Sequence, residues 1–193
     1  MKFMTIDIEG DGLYRTLNQK LFPEGNHFDP GTVIWCASFC DQDYNTTTYV
    51  KKLSDKPRLV KDGVYTKAVH YKDSVVPKEI EGHEITEFTD TMKFINAIMM
   101  KIMMSPGYTY CKGYKGYNYD AMLLKSFCDR NNYYSDLAIE YVKPIEPSVW
   151  NETHNQIKSG NWIDNQTYMV NGIKHNIEDA IQLAQRINNK EVI

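Results

Sequence analysis

The chain has 193 residues, 42% apolar and 12% aromatic, which suits one ordinary globular domain with a substantial core. Its formal net charge of −3 weakens the case for tight, sequence-independent duplex binding, while leaving room for a site that grips a few nucleotides through metal ions. Cys36, Cys40, Cys111 and Cys128 contain no C-x-x-C pair, which argues against zinc and fits free thiols in a reducing cytosol.

In chain order, Phe3 to Leu13 comes first: an apolar run that alternates into two acids and then meets a glycine-rich turn. Read as a strand, its period of two puts Asp7 and Glu9 on one face at the strand's end. Two carboxylates there repel, and one pKa rises unless a cation lies between them. Hard divalent cations take such oxygen ligands, usually with substrate phosphate completing the sphere. The plainer reading is an edge strand with solvated acids and a hairpin turn. These acids also interrupt any apolar leader, and no apolar run reaches membrane-spanning length. A cytoplasmic protein with no membrane association is therefore expected.

Residues 14–31 carry Pro23, Gly25, Pro30 and Gly31 and read as a loop. Thr32 to Cys40 and Tyr44 to Val50 are rich in β-formers and suggest an antiparallel hairpin continuing from the first strand, with Cys36 and Cys40 buried in it. Residues 53–83 are charged and read as an insertion or excursion within a single domain spanning residues 1–193. Thr86 to Met104 is the clearest helix. Thr86 can cap it, with Thr89 or Asp90 as an alternative start, and Phe94, Ile95, Ile98, Met99 and Ile102 recur at helical spacing. Ser105-Pro106-Gly107 ends it.

Tyr108 to Lys112 reads as a strand, Asn118 to Cys128 as a helix, and Leu137 to Val142 as another strand. A polar stretch from Glu146 to Asn165 precedes a last helix that His175 opens and that runs to about Asn189. The element order predicts an α/β fold, a mixed five-stranded sheet flanked by helices. Between Tyr108 and Tyr119 tyrosines interleave with lysines, a composition that suits stacking of unpaired bases. Tyr108 and Tyr110 read as strand packing, and one of Lys112, Tyr114 or Lys115 as a substrate contact.

Two later acids join the first pair. Asp120 lies near the start of a helix, and Asp179 lies one turn beyond His175 on the same helical face. If these elements converge on the first strand's end, four carboxylates surround one point with a histidine beside it. That array suits two-metal phosphoryl chemistry. His27, His70, His83 and His154 lie in polar stretches and read as solvated, with His154 the reserve base.

The constellation resembles the histidine-type branch of the DEDD superfamily of 3′–5′ exonucleases. Asp7-Ile8-Glu9 with Gly12-Leu13, Asn118-Tyr119-Asp120 with Leu123-Leu124, and His175 to Ala180 follow that family's three motifs in order. The chain departs from the pattern in three places. His175 precedes Asp179 by four positions rather than five, Gly10-Asp11 replaces Thr-Thr, and Tyr119 replaces phenylalanine. The resemblance implies a ribonuclease-H-like fold and hydrolysis of single-stranded DNA or RNA from the 3′ end to 5′-mononucleotides. It makes Asp7, Glu9, Asp120 and Asp179 ligands of two Mg²⁺ or Mn²⁺ ions and His175 the general base. Gly10, Asp11, Gly12, Leu13 and Asn118 would bind the 3′-terminal nucleotide. Any proofreading role would be in trans, beside a polymerase or other replication partner. The alternatives are a haloacid-dehalogenase-like phosphatase, whose later lysine and Gly-Asp-x-x-x-Asp box are missing, and a catalytically inactive nucleic-acid-binding module on the same fold.

Overall fold

The computed structural model describes residues 2–11, 33–52, 58–62, 65–69, 74–113, 119–133, 136–145 and 165–191. Its centre is an antiparallel meander of β1 (Met4–Asp11), β2 (Val33–Asp41) and β3 (Thr46–Lys51). β4 (Arg58–Asp62) and β5 (Tyr65–Val69) pair only with each other, in a separate two-stranded sheet. β6 (Glu79–Ile80) and β7 (His83–Phe88) extend the main sheet beyond β3, with β7 parallel to it. β8 (Thr109–Lys112) and β9 (Val142–Ile145) extend the other edge, both parallel to β1. The strand order is β6-β7-β3-β2-β1-β8-β9.

The mixed sheet flanked by helices is as expected, but it has seven strands rather than five. The difference begins at Thr86, read from sequence as a helix cap. It lies within β7, where Ile85 alternates into the core and the backbone pairs with Thr48–Lys51 of β3. The pairing satisfies an otherwise open sheet edge, and that outweighs a capping preference. Helix α1 (Thr91–Met103) starts at the alternative site: Asp90 is its N-cap and accepts from the Lys93 amide at 2.8 Å. A second correction concerns Leu137 to Val142. This stretch divides into a short helix, α3 (Asp136–Glu140), and the start of β9. Ala138 buries among the helices while Val142 takes up the ladder with Thr109.

Helices cover both faces. The even positions of β1 (Met4, Ile6 and Ile8) pack with α1, α3 and α2 (Tyr119–Arg130) in the larger core. The odd positions turn toward α4 (Asn165–Asn188), where Phe3 packs with Cys40, Ala180 and Ala184. A third correction follows: His175 does not open the last helix but lies near its middle. Gly172 lies inside this helix, at a point where Trp35 occupies the space a side chain would need. Thr5 Oγ1 ties the sheet to this helix through the Ala180 carbonyl at 2.7 Å. Among the described residues, no helix is long and apolar enough to cross a membrane.

Gly172 yields a prediction whose sign separates two effects. Helix propensity alone favours alanine over glycine by about 1 kcal/mol. A Cβ at Gly172, however, would lie 2.8 Å from Trp35 Cη2, and that ring is buried. Overpacking of this kind costs about 1–3 kcal/mol, so after the propensity gain Gly172→Ala should destabilise the fold by up to about 2 kcal/mol. Urea unfolding should show a lower midpoint at unchanged slope. A higher midpoint would mean that Trp35 moves aside freely.

Candidate functional site

The β1–β8 ladder ends at Ile6 and Cys111, so the two parallel strands part beginning with Asp7 and Lys112. A crevice outside the carboxyl ends of neighbouring parallel strands is where α/β sheets commonly bind ligands. Asp7 enters it from the central strand, and Glu9 follows two residues later, half-buried on the same face. Directly after Glu9 the β1–β2 register shifts: Gly10 pairs with Ile34, and Trp35 of β2 is left without a partner in the ladder, a local irregularity beside the acids. Asp120 comes from the first turn of α2, on the opposite layer from α4. α4 brings His175, Asn176 and Asp179. Asp7, Asp120, His175 and Asp179 are all buried, at 6–8% exposure, which is unusual for charged side chains without a compensating partner.

The acids act on one another. Burial first, and then Asp179, Asp120 and Glu9, hold the Asp7 carboxyl well above the usual carboxylate range, with Lys112 opposing. Burial pushes Asp120 up to about 7, against the Lys112 ammonium and with help from Asp179. Asp179 is also raised by burial, while His175 and Lys112 pull it back. His175 Nε2 lies 3.5 Å from Asp179 Oδ2, the contact expected of an i, i+4 pair in a continuous helix. Four carboxylates from three separate stretches thus share one electrostatic neighbourhood with a lysine and a histidine.

The residues suit a hard cation by their chemistry. The donor set is carboxylate oxygen with one imidazole, the set Mg²⁺ or Mn²⁺ takes. Asp120 Oδ2 is buried with no hydrogen-bond partner among the described residues, which leaves a lone pair that an ion would satisfy. Among the described residues, no group of three or more His, Cys, Asp or Glu side chains is arranged to hold a metal ion. Binding an ion therefore requires these side chains to turn toward a common point.

One buried group in the site was not legible in the sequence. Asn176 is fully buried, and its Nδ2 donates to Asp7 Oδ2 at 2.7 Å. The Cys36 thiol, from the β2 position that faces Glu9, donates in turn to Asn176 Oδ1 at 3.4 Å. Burial first, then the Glu9 carboxylate, push this thiol well above its ordinary range, so it stays protonated and can donate. Gly12, Leu13 and Asn118, with the side chain of Asp11, lie outside the described residues, as do Tyr114, Lys115 and His154. His83 is not solvated as expected but half-buried in β7, with Nδ1 2.8 Å from Thr46 Oγ1.

The raised carboxyls set a pH dependence. An acid whose folded pKa exceeds its unfolded value holds its proton in the folded state after the unfolded chain has released it. Stability then falls as pH rises through that window. For Asp120 the window runs from 3.8 to about 7. In EDTA, Asp120→Asn should gain melting temperature relative to wild type as pH rises from about 4 to 7, and the gain should level off above that. A difference constant over this range would show that Asp120 is not the titrating group.

No protein-family model matches this chain and no curated protein sequence does, so the chemistry of the site rests on its own residues.

Proposed function

We propose that this protein is a metal-dependent 3′–5′ exonuclease on a ribonuclease-H-like fold, hydrolysing single-stranded DNA or RNA from the 3′ end to 5′-mononucleotides. One observation carries the reading. Asp7, Glu9, Asp120 and Asp179, the acids of the three exonuclease-like motifs, come from well-separated stretches yet repel one another at a single strand end. An antiparallel three-stranded meander extended by two parallel strands also supports the ribonuclease-H-like assignment. A purely structural role gives no reason to bury acids together.

In this reading Asp7, Glu9, Asp120 and Asp179 hold two Mg²⁺ or Mn²⁺ ions. Bound there, the ions would supply Lewis-acid stabilisation of charge on the phosphate. His175, turned toward Asp179, accepts the proton of the water that attacks phosphorus. The new bond joins water oxygen to phosphorus, and the bond to the 3′ oxygen of the preceding nucleotide breaks. The products are a 5′-mononucleotide and a strand one residue shorter. Lys112, beside the acids at the end of β8, adds positive charge where a phosphate would approach. Gly10 to Leu13 would face the terminal nucleotide.

The test is incubation with 5′-labelled single-stranded DNA and RNA in Mg²⁺, Mn²⁺ or EDTA. Stepwise shortening from the 3′ end, lost in EDTA and in Asp7→Asn, is the expected result. His175→Ala should lower single-turnover rates by about 10²–10⁴-fold while leaving oligonucleotide affinity nearly unchanged. Phosphate release from small phosphomonoesters without strand shortening would favour the phosphatase instead. Binding without cleavage in every metal would favour the inactive module.

A further inference from the structure

We propose that Asn176, oriented by Cys36, is a positioning residue that sets which oxygen of Asp7 is presented to a cation. The inference rests on the metal-dependent reading of the site and deepens it. An amide nitrogen can donate but not accept, so the 2.7 Å contact from Asn176 Nδ2 requires Asp7 Oδ2 to be the accepting oxygen. Oδ1 is then the atom of Asp7 that takes a proton or an ion. The same bond serves all of these states, because neither a proton nor a cation on Oδ1 displaces it.

Cys36 fixes the amide's sense. Turned over, Asn176 would present its oxygen to the Asp7 carboxylate and its NH₂ to a thiol, losing the bond to Asp7. As observed, the Cys36 thiol donates to Oδ1 and the amide donates to Oδ2 of Asp7, so both ends are satisfied. Cys36 and Asn176 are completely buried, and water cannot substitute for either bond. One turn of α4 thus supplies three functions: His175 beside Asp179, Asp179 as an acid of the site, and Asn176 three residues before Asp179 as the holder of Asp7. Groups that orient ligands in this way typically govern metal affinity or activity by about 10–100-fold.

Asn176→Leu keeps the approximate shape and removes both bonds. Cys36→Ser keeps a hydroxyl donor, whereas Cys36→Ala removes it. The readouts are Mn²⁺ affinity from electron paramagnetic resonance titration of free Mn²⁺, melting temperature in EDTA, and kcat and KM on a labelled oligonucleotide. Asn176→Leu should bind Mn²⁺ about 10–100-fold more weakly and lose kcat at nearly constant KM. Cys36→Ser should stay near wild type, and Cys36→Ala should lose affinity several-fold. A folded Asn176→Leu protein with wild-type Mn²⁺ affinity overturns the inference while the nuclease reading stands. If that variant does not fold, the cysteine pair decides, and equal affinities in Cys36→Ser and Cys36→Ala overturn it. Wild-type protein that binds no Mn²⁺ overturns the metal reading and this inference together.

Discussion

Charge balance at the end of β1 is the constraint on which the rest of the structure turns. Burying one carboxylate without full compensation costs several kcal/mol, and a domain's whole stability is about 5–15 kcal/mol. Asp7, Asp120 and Asp179 are all buried, with Glu9 beside them. Lys112 is the cation that offsets all three buried acids, and His175 additionally offsets Asp179. Burial and neighbouring acids raise all three aspartates above the usual carboxylate range, so the cluster favours whatever lowers its charge, a proton or a cation. Perturbed carboxylates gathered at a strand end make this a candidate site.

The sandwich around the site keeps the acids from separating further. Asp7 is paired with Ser38 of β2 and follows directly on Ile6, which β8 also pairs, so its backbone is held in place. Asp120 is held by a helix whose Ala121, Leu123 and Leu124 are buried in the larger core. Asp179 is held by α4, which the Thr5 hydroxyl and the Trp35–Gly172 contact seat closely on the sheet. Three rigid elements from three layers therefore bring charges together, and apolar burial on both faces of the sheet offsets their repulsion. The freedom that remains lies in the side-chain torsions, where an ion would act.

The parts legible in the sequence were those where local pattern and tertiary role agree. The period-two alternation of Asp7 and Glu9 and the 3.6-residue spacing of Phe94, Ile95, Ile98, Met99 and Ile102 survive intact in β1 and α1. The errors fell where tertiary context overrides local preference. Thr86 looks like a cap, but an open edge of β3 recruits it into a strand. His175 looks like a helix start, but the helix runs on from Asn165 through Gly172, where a tryptophan ring across the interface makes glycine the residue that fits. The division of Leu137 to Val142 between helix and strand depends on where β8 offers pairing partners, which no local pattern carries. Asn176 was passed over because a polar residue in a polar helix reads as surface. The available signal was its place three residues before Asp179 and next to His175, on a helix already suspected of facing the acids.

The shortened spacing between His175 and Asp179 acquires a physical meaning in a continuous helix. Four residues advance about 400°, returning to within about 40° of the starting direction, whereas five overshoot to about 140°. A five-residue spacing in regular helix would point the imidazole away from the aspartate, so it calls for a break before the acid. Here α4 is unbroken from Asn165 to Asn188, and the four-residue spacing is the one that puts the two side chains in contact at 3.5 Å. The helix break is unnecessary because the residue count already does its work. The cost is that histidine and aspartate face each other directly.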